Sequence, residues 1–379
     1  MIGRKRKLLR ILFIIDHFGS GGAQRQMVTL ANNLTKRGHQ ITFFTYHPTI
    51  NHFTSIIDDN IRIINYHKKN RYSVSIIFAL YKYLQNNNYD AILSFLSTPN
   101  IYSELMSLAR VKIPVIASVR DSYSYNGIPL SRKIKEQFHR FADYITVNTH
   151  YQRILMEKRY AWIRNKIITI YNGVDPVFFN IPISKNNKKN MNTPDILGVG
   201  TVRKLKNIPG IIEGLKIYRN NYGECPLIRW AGKIPFEGEG YQEYIKSDTL
   251  LRKYSLTSQW EWLGEREDIP ELLNNHNGLI IGSFHEGLPN ALCEAFASGV
   301  PVLASRVCEN PRLIKEGENG FLFNPSDPNT IAKSIRLFVQ MPYEKRLIMS
   351  KNARIFAERE FSINKFTHSY ESLFEKFIS

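Results

Sequence analysis

The chain has 379 residues, of which 43% are hydrophobic and 22% charged, with a formal net charge of +18, so it is long enough for two globular domains with sizeable cores. Its three cysteines, Cys225, Cys293 and Cys308, are widely spaced and form no C-x-x-C pair, which excludes a disulfide framework and a zinc site and favours a reducing cytoplasm. The apolar run at residues 11–15 is too short for a signal peptide, and no stretch approaches the roughly 20 apolar residues of a membrane span, so we expect a protein that is soluble or lies on a membrane surface.

The first elements predict a parallel sheet. The chain begins with a strand, a glycine-rich loop, a helix and a second strand, at residues 8–15, 18–22, 23–37 and 41–46. A dinucleotide-binding unit of this kind would have a third glycine at position 24 and an acidic residue after the second strand. The chain has Gln24 at that position, and its second strand ends in Tyr46-His47. We therefore exclude an NAD-dependent dehydrogenase.

Strands and helices continue to alternate up to residue 171 and predict one doubly wound domain, whose ligands collect at the carboxyl ends of its strands. The further strands lie at 61–66, 91–95, 114–119, 143–148 and 166–171, and the helices at 74–85, 100–110 and 131–142. Arg120 and Asp121 follow a strand directly, so Arg120 is a candidate site residue, with a simple salt bridge to Asp121 as the alternative. Asn172-Gly173 is a turn, and the polar segment 184–194 is the predicted linker between domains.

A second series of elements predicts a second α/β domain. Its strands lie at 196–199, 227–231, 260–263, 279–281, 300–304 and 320–323, and its helices at 208–218, 238–254, 269–274, 310–316 and from 328 onward. A last helix at 363–377 carries a full apolar stripe that must be buried.

The stretch 279–301 is the most informative part of the sequence. It reads as a buried strand, a short loop and a helix whose first turn contains Pro289. Glu286 in the loop and Glu294 in the helix should both face the helix start, where unpaired backbone N–H groups and the helix dipole favour a phosphate. Two carboxylates beside a phosphate would accept hydrogen bonds from hydroxyls, and a sugar nucleotide offers both groups. The alternative is that both glutamates are solvated surface residues.

This E-x7-E pattern resembles the donor-site motif of the family-four retaining glycosyltransferases. Its residues here are Glu286, Gly287, Leu288, Pro289, Asn290 and Glu294. The resemblance implies the α/β GT-B fold, in which two Rossmann-like doubly wound domains face a cleft. It also implies transfer of a sugar from a nucleoside diphosphate sugar with retention at the anomeric carbon. By motif match, Glu286 would contact the donor sugar and Glu294 the nucleotide ribose.

Other positions match the family less completely. The loop at Gly21-Gly22 is similar to a glycine pair that lets the backbone approach donor phosphates and acceptor. In the family, an arginine and a lysine bind the donor pyrophosphate after the first strand of the second domain, and Lys206 matches the lysine. The arginine usually follows the glycine directly, where this chain has Thr201, so Arg203 is its candidate replacement.

Two further roles follow from the resemblance alone. The loop containing Gly264 and Arg266 would receive the nucleotide base. Arg120 lies where relatives have a pair of residues near the acceptor and the donor sugar, and we group it with Glu286 and Lys206 as catalytic candidates. No D-x-D motif occurs, so we predict neither a metal nor another cofactor. The leaving phosphate would help to take the proton of the acceptor.

The positive charge is concentrated in the first half of the chain. Residues 1–183 hold 25 Lys and Arg against 10 Asp and Glu, or +15, and the other 196 residues hold 26 against 23, or +3. The basic clusters are Arg4, Lys5, Arg6, Lys7 and Arg10, then His67, Lys68, Lys69 and Arg71, then Arg132, Lys133 and Lys135. Such a surface would bind anionic lipid, at about 1 kcal/mol per residue near the leaflet. Nucleic acid or a generally basic solvated surface are the alternatives.

Together these features predict an N-terminal acceptor domain at 1–183, the linker at 184–194, a nucleotide-sugar domain at 195–360, and a helix at 361–379 that crosses back to the first domain. The predicted enzyme is a metal-independent hexosyl- or N-acetylhexosaminyltransferase that uses a UDP-sugar. Its predicted acceptor is a lipid-linked saccharide or polysaccharide, as in lipopolysaccharide assembly, at the inner face of the cell membrane, with no nucleic acid partner. The alternatives are a sugar-nucleotide epimerase of the same fold and a basic nucleic-acid- or membrane-binding protein.

Overall fold

The structure is a computed structural model that describes residues 7–68, 74–120, 129–183 and 194–377. It divides into two compact units, the first formed by Met1–Gly173 with Asn364–Ser379 and the second by Val174–Ile363. Several sequence predictions lie outside the described residues, namely the linker at 184–193, Asp121, Arg4, Lys5, Arg6, Lys69 and Arg71.

Within the described residues, the first unit is built on a seven-stranded parallel sheet with the order β3-β2-β1-β4-β5-β6-β7. The strands are β1 (Arg10–Ile14), β2 (Gln40–Thr45), β3 (Arg62–Asn65), β4 (Ala91–Phe95), β5 (Val115–Val119), β6 (Tyr144–Val147) and β7 (Ile167–Thr169). The helices are α1 (Gly22–Lys36), α2 (Ser75–Gln85), α3 (Ser97–Leu108), α4 (Leu130–Gln137) and α5 (His150–Arg159). Strands β4 and β5 are buried along their whole length, as expected for a sheet covered on both faces.

The second unit contains a six-stranded parallel sheet with the order β10-β9-β8-β11-β12-β13 among the described residues. Its strands are β8 (Ile196–Val199), β9 (Ile228–Ala231), β10 (Trp260–Gly264), β11 (Gly278–Ile281), β12 (Val302–Ser305) and β13 (Gly320–Phe323). Its helices are α6 (Pro176–Phe179), α7 (Ile208–Tyr222), α8 (Gly238–Lys253), α9 (Ile269–Asn275), α10 (Asn290–Ala297), α11 (Asn310–Leu313), α12 (Pro328–Val339) and α13 (Tyr343–Phe361). Both units are therefore parallel α/β structures, as the sequence predicts.

The first unit ends at Gly173 rather than at the predicted residue 183. The physical reason is that Val174 already pairs with the end of α13: it bridges to Ser362 and its backbone N–H donates to the carbonyl oxygen of Phe361 at 2.9 Å. Arg354 of α13 adds two hydrogen bonds, to the carbonyl oxygens of Phe179 and Ile181. Residues that follow the Asn172-Gly173 turn thus pack as part of the second unit.

The last helix, α14 (Ile363–Glu375), belongs to the first unit from Asn364 onward. Its buried Glu371 accepts hydrogen bonds from His39 Nε2 at 2.8 Å and Arg37 Nη1 at 2.9 Å. His39 Nδ1 in turn accepts the backbone N–H of Leu9 at 3.2 Å, so the hydrogen of the neutral imidazole lies on Nε2. This network fixes α14 to the segment that joins α1 to β2.

The structure differs from the sequence prediction at two places. The helix predicted at 131–142 is α4 followed by a 3₁₀ turn, Phe138–Phe141. Helix α5 was not predicted; the Thr149 hydroxyl caps it by accepting the backbone N–H of Gln152 at 3.0 Å.

Across the described part of the chain, none of the helices combines the length and the apolar composition that a membrane span requires.

Candidate active site

The carboxyl ends of β8 and β11 define the candidate site of the second unit. These two strands are neighbours in the sheet although they are distant in sequence, so the chain order reverses between them. In open parallel sheets, ligands bind at the carboxyl ends of the strands at such a reversal. The loop after β8 contains Arg203 and Lys206, and the loop after β11 contains Glu286.

Lys206 and Glu286 form a close ion pair at this place. Lys206 Nζ lies 2.6 Å from Glu286 Oε1, and the Ser283 hydroxyl donates to the same oxygen at 2.6 Å. The side chains of Lys206 and Glu286 are 22% and 14% exposed, so the charges are partly desolvated and still accessible to a ligand. A backbone hydrogen bond of 3.0 Å from Phe284 to Leu205 holds the two loops together.

Gly200 allows the Lys206 side chain to cross its loop. Gly200 has a φ of +146°, and a Cβ atom there would lie 2.9 Å from Lys206 Cε. Its carbonyl oxygen accepts the indole N–H of Trp230 at 2.8 Å, and the backbone N–H of Gly232 donates to Gly264 at 2.7 Å. Hydrogen bonds thus connect the loops after β8, β9 and β10 at the carboxyl edge of the sheet.

Ser283 is a site residue that the sequence analysis missed. The sequence places it only in the short loop after the strand at 279–281. In the structure Ser283 is buried, its hydroxyl donates to Glu286, and its carbonyl oxygen accepts the hydroxyl of Ser305 at 2.6 Å. A hydroxyl residue three positions before the first glutamate of the motif was the available signal.

The rest of the E-x7-E motif forms the start of α10. Pro289 is the N-cap residue and Asn290 is the first helical residue. Leu288 is buried, whereas Gly287 is partly buried in the loop. Glu294 lies in the second turn and is 9% exposed, so it is not the fully solvated surface residue of the alternative interpretation.

Two basic candidates form no side-chain ion pair with Glu286 among the described residues, although the Arg203 carbonyl oxygen accepts the backbone N–H of Lys206 at 2.9 Å. The side chain of Arg203 is exposed. Arg266 forms an exposed ion pair with Asp268 through Nε at 2.8 Å, which lowers the pKa of Asp268 below its ordinary value. Gly264 adopts a left-handed φ of +69° at the end of β10. The roles of Arg203, Gly264 and Arg266 in donor binding stay predictions.

A histidine and a cysteine lie beside the pair. His285 Nδ1 is 3.1 Å from Cys308 Sγ. Burial lowers the pKa of His285, although the nearby Glu286 opposes this shift, and burial raises the pKa of Cys308. Both groups are therefore neutral near pH 7, so Lys206 supplies the positive charge at this point of the loop.

In the glycine pair of the first unit, Gly21 lies directly against the side chain of Gln24. Gly21 is the N-cap residue of α1, and a Cβ atom on it would lie 2.2 Å from Gln24 Oε1. The Gln24 amide donates to Asp16 Oδ1 at 3.2 Å, which links this turn to the end of β1. Gly22 is the first residue of α1. A role for Gly21 and Gly22 in binding phosphate or acceptor stays a prediction.

Arg120 is engaged inside the first unit. Its Nε donates to the Ser118 hydroxyl at 3.0 Å, and Nη1 and Nη2 donate to Asn172 Oδ1 at 2.5 Å and to the Tyr370 hydroxyl at 2.8 Å. The guanidinium carbon also lies 4.2 Å from the centre of the Phe95 ring. These contacts join β5, the Asn172-Gly173 turn and α14, so the geometry favours a structural role. The catalytic role of Arg120 stays a prediction.

No group of three or more His, Cys, Asp or Glu side chains that could hold a metal ion occurs among the residues that the structure describes. The metal independence of the reaction stays a prediction.

Two family models match the chain, one on each half. The model described as Glycosyltransferase Family 4 matches residues 20–178, and the model described as Glycosyl transferases group 1 matches residues 180–356. The second match includes Lys206 and the whole E-x7-E motif.

Similar proteins of named activity are bacterial glycosyltransferases. The GalNAc-alpha-(1->4)-GalNAc-alpha-(1->3)-diNAcBac-PP-undecaprenol alpha-1,4-N-acetyl-D-galactosaminyltransferase of Campylobacter jejuni is 24% identical over an aligned stretch of 359 residues that covers 92% of this chain and 94% of that protein. The UDP-Gal:alpha-D-GlcNAc-diphosphoundecaprenol alpha-1,3-galactosyltransferase of Escherichia coli is 26% identical over 79% of this chain and 78% of that protein. Neither relative supports the epimerase or the nucleic-acid-binding alternative.

Solved structures share the fold over nearly the whole chain. A glycosyltransferase from Rickettsia africae has a TM-score of 0.83 at 17% identity, covering 98% of this chain and 99% of that one. Anabaena Alr3699/HepE in complex with UDP and glucose has a TM-score of 0.78 at 18% identity, covering 97% and 99%. The family models and these structures confirm the resemblance seen in the E-x7-E motif: the chain belongs to the family-four glycosyltransferases and has the GT-B fold.

Proposed function

We propose that this glycosyltransferase moves a hexosyl or N-acetylhexosaminyl unit from a UDP-sugar to a lipid-linked saccharide in the synthesis of a cell-surface glycan, with retention at the anomeric carbon. The observation that carries the proposal is the contact of Lys206 and Ser283 with Glu286 at the switch point of the second sheet. This cluster combines a cation for a diphosphate with a carboxylate for sugar hydroxyls.

Each side chain has a distinct task in the proposed reaction. Lys206 stabilises the negative charge that develops on the departing diphosphate, because a fixed cation in a partly desolvated site requires no reorganisation. Glu286 holds the Lys206 ammonium in place and accepts a hydrogen bond from a hydroxyl of the donor sugar. The first turn of α10, which begins at Asn290, adds backbone N–H groups for a phosphate oxygen.

The proposed bond changes involve only donor and acceptor. The bond between the anomeric carbon and the diphosphate oxygen breaks, and the bond to the acceptor oxygen forms on the same face of the sugar. The acceptor proton passes to the leaving diphosphate oxygen. This step requires no catalytic base from the protein and no metal ion to balance its atoms and charges.

The donor and acceptor classes are supported by the similar proteins. The Escherichia coli relative is named for UDP-Gal, and both it and the Campylobacter relative are named for acceptors joined to undecaprenol through a diphosphate. Anabaena Alr3699/HepE was solved with UDP and glucose. Such acceptors lie in a membrane, so we place the enzyme at the inner face of the cell membrane, where nucleotide sugars are available.

Thermal unfolding with UDP, GDP and ADP tests the donor site. UDP at about 100 times its dissociation constant should add roughly 2.7 kcal/mol of stability. Lys206→Ala should abolish the shift, because it removes the cation and leaves Glu286 to repel the diphosphate. Lys204→Ala is the matched control, since Lys204 lies in the same 3₁₀ turn and is exposed. A UDP shift that Lys206→Ala retains would contradict the proposed site.

A further inference from the structure

Helix α4 presents its apolar residues outward. Leu130 is 72% exposed and Ile134 is 55% exposed, whereas Glu136 of the same helix is only 2% exposed. A surface helix of a globular protein normally does the opposite, with its apolar stripe toward the core and its charges in water. Leu130 and Ile134 are four residues apart and therefore share one face. This face is apolar and directed away from its own unit.

Polar contacts fix the orientation of α4. Glu136 Oε2 accepts a hydrogen bond from Arg159 at 3.2 Å on the inner side of the helix. Arg132 and Lys135 line a small pocket together with Asn100, Val119 and His139, among other residues. His139 follows in the 3₁₀ turn and bonds through Nδ1 to the buried Glu104 at 2.5 Å. Rotating Leu130 and Ile134 inward would break these contacts, so their exposure is built into the fold.

Basic residues surround the exposed apolar face. Lys133 and Lys135 are exposed on α4 itself, and Arg140 is exposed in the following turn, where Phe141 is 37% exposed. The half of the chain that contains them carries +15, with 25 basic against 10 acidic residues. Aliphatic side chains flanked by lysines fit the boundary between anionic headgroups and acyl chains. A nucleic acid backbone would use the charges but leave Leu130 and Ile134 in water.

Helix α2 exposes a second apolar stripe. Val74, just before the helix, is 59% exposed, and Phe78 and Tyr81 are 70% and 38% exposed, at a spacing that places all three on one side. Helices α2 and α4 both follow strands of the same sheet. Helix α3 packs against α2 and also against the 3₁₀ turn after α4. Both stripes therefore belong to the layer of helices on one face of the first sheet.

We infer that the outer face of α4 is a membrane-docking surface for an anionic bilayer, in which Leu130 and Ile134 enter the headgroup boundary and Lys133 and Lys135 bind anionic headgroups. The stripe on α2 extends the contact. This inference rests on the proposed function, because it explains how an enzyme for a lipid-linked acceptor reaches that acceptor. It predicts that the docked enzyme presents the pocket lined by Arg132 and Lys135 next to the bilayer surface.

Vesicle sedimentation tests the inference on the full chain. Vesicles of phosphatidylcholine with phosphatidylglycerol are compared with vesicles of phosphatidylcholine alone, at low and at physiological salt. Wild type should bind the anionic vesicles at least tenfold more tightly. Leu130→Gln/Ile134→Gln should weaken that binding about tenfold or more, because the apolar insertion is lost while the charges and the helix propensity are kept.

The matched control is Ile348→Gln/Ile355→Gln. These isoleucines are 57% and 58% exposed on α13 of the second unit, whose half of the chain is nearly neutral. The control double variant should bind like wild type. A charge variant, Lys133→Gln/Lys135→Gln, should lose about 25-fold, at roughly fivefold for each lysine, and its binding should depend less on salt.

Three results would overturn the inference: equal binding to anionic and neutral vesicles, equal loss in the α4 and α13 variants, or wild-type binding by both α4 variants. Light scattering provides a further check, because a dimer that the α4 substitutions dissociate would mean that a second copy covers this face. The UDP-dependent thermal shift is measured on the same samples. A normal shift with failed docking overturns only this inference, whereas a missing shift in the wild type contradicts the proposed function.

Discussion

Lys206 depends on several neighbours for its position. Glu286 attracts its ammonium, Ser283 fixes that carboxylate, and Gly200 leaves room for its methylene groups. The pair is partly buried, so water screens its charges less than those of an exposed pair, which contributes about 0–1 kcal/mol to stability. We therefore expect a substitution that displaces one of these side chains to lower donor affinity more than it lowers the free energy of unfolding.

Gly200→Ala tests this directly. The new Cβ atom would lie 2.9 Å from Lys206 Cε, so the end of the lysine side chain must shift. We expect this shift to weaken the contact with Glu286 and UDP affinity to fall about tenfold or more, as for a lost charge-assisted hydrogen bond. Backbone strain at positive φ adds an unfolding penalty of about 1–2 kcal/mol. Calorimetric titration with UDP measures the first effect and thermal unfolding the second.

Gly223→Ala is the control for strain alone. Gly223 has a φ of +90°, and a Cβ atom there would meet nothing within 4 Å. This variant should lose similar stability and keep its UDP affinity. If both variants lost affinity equally, the contact between Gly200 and Lys206 would not matter for the donor site.

At the scale of elements, α14 completes the first unit by means of a buried ionic network. Glu371 is 1% exposed and accepts hydrogen bonds from His39 and Arg37, while Tyr370 reaches Arg120 and Thr146 beneath the same helix. A buried charge is costly unless it is paired. The helix and the segment between α1 and β2 should therefore lose their order together.

Glu371→Ala should destabilise the protein by about 3 kcal/mol, because it removes the hydrogen-bond acceptor of the buried His39 Nε2 and the carboxylate that pairs with Arg37. Glu375→Ala is the matched control, since Glu375 is an exposed glutamate of the same helix and surface substitutions usually change stability by less than about 0.5 kcal/mol. Urea unfolding compares the two. Equal midpoints would mean that the network does not hold α14 in place.

At the scale of the whole molecule, the sequence predicts the fold well because both sheets use fully buried apolar strands such as β4 and β11, which are unmistakable in a sequence. The E-x7-E spacing likewise locates the donor loop. Pairings between distant segments could not be predicted: the engagement of Arg120 by Tyr370, and the bridge of Val174 to Ser362 that moves the unit boundary.

Helix α4 shows a different limit. Periodicity predicts which residues share a face, but not whether that face is directed inward. Two apolar residues four positions apart, such as Leu130 and Ile134, are usually on the buried face of a surface helix. The opposite orientation follows from the burial of Glu136 against Arg159, a contact 23 residues apart that only the three-dimensional structure reveals.

The central claim is transfer from a UDP-sugar by the site around Glu286, and the most direct measurement is proton NMR of donor turnover. UDP-glucose, UDP-galactose and their N-acetylhexosamine counterparts are each supplied with a diphospholipid-linked N-acetylhexosamine acceptor. We expect consumption of one donor and an α-linked product, with Glu286→Gln slower by about 10²-fold or more and the exposed control Glu344→Gln on α13 unchanged. A β-linked product would contradict retention. The central claim would be contradicted if Glu286→Gln did not slow turnover, or if the wild type consumed none of the donors.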